Sequence, residues 1–184
     1  VESIGNGAFQ ECSSLTSIII PDSVKKLGMW AFYLCQSLIS FNLSKNIQII
    51  DVRTFDGCKS LTSVIIPSYI TRIYGGAFSD CFSLKSIKLP VTITDITGFI
   101  NYPLEELIIY GTGSIKDAKT SGISVYKSIS EYVINIYIED GIKSIGKYAF
   151  YKFINLKSVY IPASVESIFQ NAFEYCGNLT TVNI

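Results

Sequence analysis

The feature that most constrains the fold of this chain is an internal repeat with a period of 23 residues. The segment Val1–Ser23, VESIGNGAFQECSSLTSIIIPDS, returns in register along the sequence. Its three most regular columns are phenylalanine (Phe9, Phe32, Phe55, Phe78, Phe150, Phe173), cysteine (Cys12, Cys35, Cys58, Cys81, Cys176) and leucine (Leu15, Leu38, Leu61, Leu84, Leu156, Leu179). Such periodicity is typical of solenoids, in which successive repeats stack around one continuous core. We therefore predict a single solenoid domain.

Each regular unit has two halves with different apolar spacing. In the first unit, Ile4, Ala8, Phe9 and Cys12 are the recurrent apolar positions of the first half, and their offsets resemble one or two helical turns. The second half, LTSIIIP, alternates as a half-buried strand does. Proline closes four of these segments because it cannot donate to a strand ladder, at Pro21, Pro67, Pro90 and Pro162. Strands that return once per unit in the same direction must lie parallel.

Eight units are predicted, with an irregular middle. Their boundaries are 1–23, 24–46, 47–69, 70–92, 93–114, 115–141, 142–164 and 165–184. The fifth unit is compressed, with Phe99 or Ile100 in place of the core phenylalanine and Leu104 in place of the leucine. The sixth is enlarged before its strand, VINIYIED. Solenoids need polar capping units, and neither end of the chain resembles one, so we expect a piece of a longer array.

Composition excludes several classes of protein. Hydrophobic residues make up 48% of the chain and charged residues 16%, which excludes disorder. Fifteen acidic residues balance fifteen basic ones, and the lysines are scattered, so we expect no nucleic-acid partner. The apolar runs are too short to span a membrane, so this segment is expected not to insert into one. The cysteine column is interpreted as core, with disulfide pairing of neighbouring cysteines left open.

Catalysis, cofactors and metals find no support in the residues. The chain has no histidine, which removes the Ser-His-Asp and Cys-His arrangements, and no CxxC motif marks a zinc site. Two glycosylation sequons begin at Asn42 and Asn178, and occupancy is conceivable only in a secreted eukaryotic protein.

The residues between the core positions of the strands should face outward and form a candidate ligand-binding surface. One outward column varies at nearly every step: Ile19, Asn42, Ile65, Lys88, Ile108, Tyr137, Tyr160 and Asn183. On this face we predict a patch across strands five to seven made of Ile108, Tyr110, Tyr137 and Tyr160, with Lys88, Glu106 and Glu139 at its edge. Tyrosine is enriched at binding hot spots. The alternative is that aromatic and β-branched residues simply suit a strand surface.

The regular unit, I..IG..AF..C.SL.SI.IP, resembles the BspA-type leucine-rich repeat, also called the Treponema-pallidum-type repeat. The resemblance implies a strand-rich α/β fold: a right-handed leucine-rich-repeat solenoid with one parallel sheet of about eight strands and short helices or turns on the other side. It also implies a surface-exposed or secreted protein that adheres to host matrix proteins, cells or other microbes.

From the residues and the resemblance together we predict a non-enzymatic recognition or adhesion module. Its sheet face would bind a protein or glycan, and the resemblance implies a ligand of the host matrix or cell surface. The alternative is a structural spacer with no ligand of its own.

Overall fold

The computed structural model describes residues 1–97, 104–118 and 124–184. Phe99 and Ile100, which the sequence offers as the core aromatic position of the fifth unit, lie outside these ranges. The described residues form sixteen short strands, numbered β1–β16 in chain order, and one short 3-10 helix, Lys127–Ile129. The strands fall into two rows, because each turn of the solenoid, here called a rung, contributes one strand to each row.

The first row carries the strands that the alternating segments predict. Its members are β2 (Ser17–Ile19), β4 (Ser40–Asn42), β6 (Ser63–Ile65), β8 (Ser86–Pro90), β10 (Glu106–Tyr110), β12 (Asn135–Ile138), β14 (Ser158–Tyr160) and β16 (Thr181–Asn183). All pairings are parallel, and they join β2 to β4 and β6 through β16 as a six-stranded sheet. The predicted eight strands are therefore present, as a pair and a sheet of six.

The second row was not anticipated from the apolar spacing. Its members are β1 (Ser3–Ile4), β3 (Lys26–Leu27), β5 (Ile49–Ile50), β7 (Arg72–Ile73), β9 (Asp95–Ile96), β11 (Gly113–Ile115), β13 (Ile142–Ile145) and β15 (Ser167–Ile168). They pair in parallel as β1-β3, β5-β7-β9 and β11-β13-β15. Several are only two residues long, which is too short for an alternating pattern to show in sequence.

The sequence predicts either short helices or turns between the strands. In the structure each regular rung forms turns between the two rows. Two residues in each of these rungs have a left-handed backbone, at the seventh and eleventh positions of the unit, as at Arg53 (φ 52°) and Gly57 (φ 74°). Such residues end a right-handed helix after a few residues. The freed amides bond to the next rung instead; for example, Phe55 N donates to Ala77 O at 2.8 Å.

The core consists of the columns that repeat. Phe32, Phe55, Phe78 and Phe150 are fully buried, and the ring centroids of Phe32 and Phe55 are 5.4 Å apart with nearly parallel planes. In the enlarged sixth unit Tyr126 takes the phenylalanine position and stacks on Phe150 at 5.5 Å. Phe9, in the first rung, stacks on Phe32 and is 37% exposed. The strand-rich solenoid with a stacked interior is thereby confirmed.

Candidate recognition surface

The outward column of the first strand row lies in register across the six-stranded sheet. Ile108 on β10 is opposite Lys88 on β8 and Tyr137 on β12, and Tyr137 is opposite Tyr160 on β14. The residues that alternate with them are buried, including Leu107, Ile136 and Val159. Tyr137 is 40% and Tyr160 50% exposed, whereas Ile108 is half-buried between its neighbours. The six residues Lys88, Glu106, Ile108, Tyr110, Tyr137 and Tyr160 are called the sheet patch below.

Tyr110 and Lys88 are fixed by contacts within the protein. The Tyr110 hydroxyl donates a 2.8 Å hydrogen bond to Ile66 O, two rungs earlier. Burial, with smaller effects of Tyr69 and Glu139, raises the pKa of Tyr110. Lys88 Nζ lies 5.1 Å from the centre of the Tyr110 ring and 2.6 Å from Glu139 Oε1. The ammonium group is thus held between an aromatic face and a carboxylate. These contacts connect the fourth rung to the sixth.

This arrangement depends on an interruption of the proline column. Tyr110 is the register partner of Pro90, and Glu139 follows the end of β12 at the equivalent place, where its amide donates to Ile109 O at 2.9 Å. Both residues therefore occupy the place that proline takes in the fourth and seventh rungs, at Pro90 and Pro162. Proline is absent from this column at Tyr110 and Glu139, and also at Ser44 in the second rung. The sequence therefore shows the interruption but does not indicate that Lys88 pairs with Glu139.

A shallow groove, the sheet groove, runs beside the two exposed tyrosines. It has a volume of about 530 Å³ and is lined by Ile108, Tyr137, Ile138, Glu139, Asp140, Tyr160 and Pro162. Two of these side chains carry charge, and both are acidic. Asp140 is exposed and forms no ion pair with any other described residue. Glu106, at the start of β10, is half-buried and likewise forms no ion pair within the described residues. The neighbouring Glu105 is paired with Lys85 at 2.9 Å.

A second groove of about 600 Å³ lies along the second strand row of the first rungs. Its lining is mostly polar and includes Asn6, Lys26, Gln48 and Asp51. Its one aromatic residue, Tyr74, is half-buried, and its hydroxyl accepts a 3.2 Å hydrogen bond from Arg72. This groove therefore offers no exposed aromatic anchor.

The two sequons lie on the exposed surface, but their hydroxyl residues are engaged. Asn42 faces outward on β4, whereas Ser44 is fully buried and its Oγ donates to Val24 O at 2.6 Å. Asn178 Nδ2 donates to Ile154 O at 2.7 Å, and Thr180 Oγ1 to Lys157 O at 3.2 Å. These groups serve contacts between rungs in the folded chain.

The five cysteines are free thiols, and four of them donate a hydrogen bond to the preceding rung. Cys35, Cys58 and Cys81 are buried, and each Sγ donates to the carbonyl of the phenylalanine in the preceding rung, at 3.2–3.4 Å. Burial, with a smaller effect of Cys12, raises the pKa of Cys35 to about 11, and burial raises that of Cys81 to about 12. The interpretation of this column as core is confirmed for these three residues.

Neither a cluster of potential metal ligands nor a membrane-spanning helix occurs within the described ranges. Those residues contain no group of three or more potential metal ligands. They also include no helix with the length and apolar character required to cross a membrane.

Comparison with known proteins gives the family and the fold. No curated protein sequence matches the chain. The crystal structure of a leucine-rich repeat protein from T. pallidum is similar, with 22% identity and a TM-score of 0.53 over 98% of this chain and 72% of that one. A leucine-rich repeat protein from Bacteroides ovatus gives 20% identity and a TM-score of 0.52, and this chain spans 64% of its length. Identities this low establish the fold alone.

The repeat family is identified by a sequence model rather than by these structures. The model of the BspA type leucine-rich repeat region, in six copies, matches residues 1–116 and 120–184, which is almost the entire chain. Together with the stacked, parallel-stranded rungs, this match shows that the chain belongs to the BspA-type leucine-rich repeat family.

Proposed function

We propose that the chain is a non-catalytic recognition module of a surface-exposed or secreted protein, and that its sheet patch binds a protein partner. BspA-type repeat proteins commonly serve recognition and adhesion. The observation that carries the proposal is the registered row of Ile108, Tyr137 and Tyr160 beside a charged frame built by Lys88 and Glu139. Tyrosine buries a large area at low entropic cost and keeps a polar tip, which suits it to binding surfaces.

Strand propensity alone accounts for only part of this composition. It explains tyrosine and isoleucine on a strand surface, as at the exposed Ile19 and Ile65. It does not explain why the proline column is interrupted at Tyr110 and Glu139, where the two replacements hold Lys88 in place. Binding surfaces typically combine exposed aromatic rings, which anchor the partner, with a rim of polar groups held in fixed orientations. The sheet patch has both.

The acidic residues support binding rather than chemistry. Glu139 is engaged by Lys88, and Glu105 by Lys85, so neither carboxylate is an unengaged acid–base group. The sequence also has no histidine, the side chain most often used for general acid–base catalysis. A spacer role, in which the sheet face binds nothing, is the competing proposal.

A binding experiment separates recognition from spacing. The purified chain would be tested by biolayer interferometry against a panel of purified extracellular-matrix proteins, with a glycan array in parallel. We expect binding to at least one protein of the panel, and a loss of at least tenfold, or about 1.4 kcal/mol, in the double variant Tyr137→Ser, Tyr160→Ser.

Tyr175→Ser is the matched control, because Tyr175 is an exposed tyrosine in a turn, away from the sheet patch. Its binding should equal that of the unmodified chain. Equal binding by the double variant would reject the sheet patch as the site, and binding on the glycan array alone would reject a protein partner. An absence of binding in both assays would favour the spacer role.

A further inference from the structure

We propose that the sheet groove receives an arginine side chain of a partner's peptide segment, with the guanidinium against the rings of Tyr137 and Tyr160 and paired with Asp140. This inference rests on the proposed function and specifies the chemistry of the partner. It commits the groove to a cationic peptide rather than to a glycan, a nucleic acid or a second copy of the chain.

The charges of the sheet groove are complementary to a cation. The groove is walled by two tyrosines, Ile108 and Pro162, and its two charged lining residues, Glu139 and Asp140, are both carboxylates. Asp140 is exposed and has no ion-pair partner among the described residues. A carboxylate beside aromatic faces attracts a cation through both charge and the ring quadrupoles, and it repels phosphate. A nucleic acid is therefore disfavoured at this place.

The protein already makes such a contact next to the sheet groove. Lys88 extends over the Tyr110 ring, with Nζ 5.1 Å from the ring centre, and ends 2.6 Å from a carboxylate oxygen of Glu139. Tyr137, Tyr160 and Asp140 repeat these components toward the next rungs, but no cation among the described residues occupies them. The surface thus presents two cation positions beside tyrosine rings. Lys88 fills the one at Tyr110, and the one at Tyr137 and Tyr160 is open to a partner.

Arginine fits the open position better than lysine does. Its guanidinium is planar, stacks on aromatic rings and binds a carboxylate through two parallel hydrogen bonds. An apolar floor of Ile108 and Pro162 suits the methylene groups of a long side chain. A neutral sugar would instead need several convergent hydrogen-bonding groups, whereas the uncharged lining side chains are apolar apart from the two tyrosine hydroxyls.

The test is an NMR titration of the whole 184-residue chain, observing the tyrosine ring signals. The probe is the capped peptide Gly-Ser-Arg-Ser-Gly, and the control is the same peptide with citrulline, which keeps the shape of arginine without its charge. We expect saturable shifts of the Tyr137 and Tyr160 rings with the arginine peptide, with a Kd on the order of millimolar, and none with citrulline.

Two variants locate the charge contact. Asp140→Asn should weaken binding of the arginine peptide by about three- to tenfold, as expected for a charge-assisted contact open to solvent. Asp80→Asn, which alters an exposed carboxylate on a turn of the fourth rung, should leave it unchanged. Raising the salt concentration should weaken binding in the unmodified chain and have a smaller effect in Asp140→Asn.

Several results would overturn the inference. These are equal shifts with both peptides, no shift with either, or shifts of the same rings by chitotriose but not by the arginine peptide. The double tyrosine variant could lose binding to a matrix protein while Asp140→Asn retains it. In that case the sheet patch is the binding site, but the proposal of a cationic ligand is wrong. If neither variant affects that binding, the proposed function fails as well.

Discussion

Asp56 is a carboxylic acid in the interior of the third rung and is 4% exposed. Its nearest cation is Arg53, whose Nη1 lies 3.6 Å from Asp56 Oδ2. Burial raises the pKa of Asp56 to about 6, which Arg53 opposes and Asp80 reinforces. A carboxyl whose pKa is higher in the folded than in the unfolded chain binds more protons when folded. The folded state therefore loses stability as the pH rises from about 4 to about 6.

We predict that Asp56→Asn removes this pH dependence. Relative to the variant, the unmodified chain should lose up to about 3 kcal/mol of unfolding free energy between pH 4 and pH 7, since two units of pKa correspond to about that much. Asparagine keeps the size and shape of the side chain without the ionisation. The measurement is urea unfolding of both proteins at several pH values.

Asp80→Asn serves as the control here too, because Asp80 is exposed and contributes the weakest of the named effects on Asp56. It should leave most of the pH dependence in place. A stability difference between Asp56→Asn and the unmodified chain that does not change with pH would show that Asp56 titrates normally.

At the scale of the single element, the turns are what sequence reasoning could least foresee. The first-row strands and their register follow from the repeat, and so do the buried phenylalanines, because packing restricts those positions. The short strands of the second row do not follow from it. The left-handed turn positions do not stand out, since nine of them are filled by residues other than glycine, such as Leu34 and Tyr148. Tyr126 was missed because its unit lacks the Ala-Phe pair that marks the column elsewhere.

The sheet patch was only partly predictable for a related reason. Alternation along a strand places Tyr137 and Tyr160 outward, so their exposure follows from the sequence. The contact between Lys88 and Glu139 joins residues 51 positions apart, on rungs that are not adjacent. It depends on the lengths of two irregular units, which a repeat of fixed period does not supply.

We predict that Gly57→Ala destabilises the turn of the third rung. Gly57 has φ +74°, and a Cβ there would lie 2.5 Å from Leu34 Cδ2 in the preceding rung. Backbone strain and this contact together should cost about 1–3 kcal/mol of unfolding free energy. Gly75→Ala is the matched control, because a Cβ at Gly75 meets nothing within 4 Å, and its effect should be within about 0.5 kcal/mol. Equal effects of the two substitutions in urea unfolding would contradict the turn geometry.

For the whole molecule, stability comes from contacts between neighbouring rungs. Each rung is too thin to bury its own side chains, so its core residues are covered by the rungs on either side. Phe55 shows this most fully: its ring lies 5.4 Å from both Phe32 and Phe78 and 4.2 Å from Phe41. Phe9 stacks on Phe32 at 5.3 Å and is 37% exposed. Identical residues in one column should therefore differ in energetic weight according to their place in the array.

We predict that Phe55→Ala costs about 3–5 kcal/mol of unfolding free energy, as for other buried aromatic residues, whereas Phe9→Ala costs about 1 kcal/mol. Because rungs support one another, Phe55→Ala should also lower amide-exchange protection in the second and fourth rungs, and Phe9→Ala only in the first two. Urea unfolding and hydrogen exchange with mass spectrometry measure these effects. If Phe55→Ala prevents folding, Phe55→Leu preserves the comparison at a smaller cost. A Phe9 substitution as damaging as the same change at Phe55 would show that the stack does not distribute stability along the array.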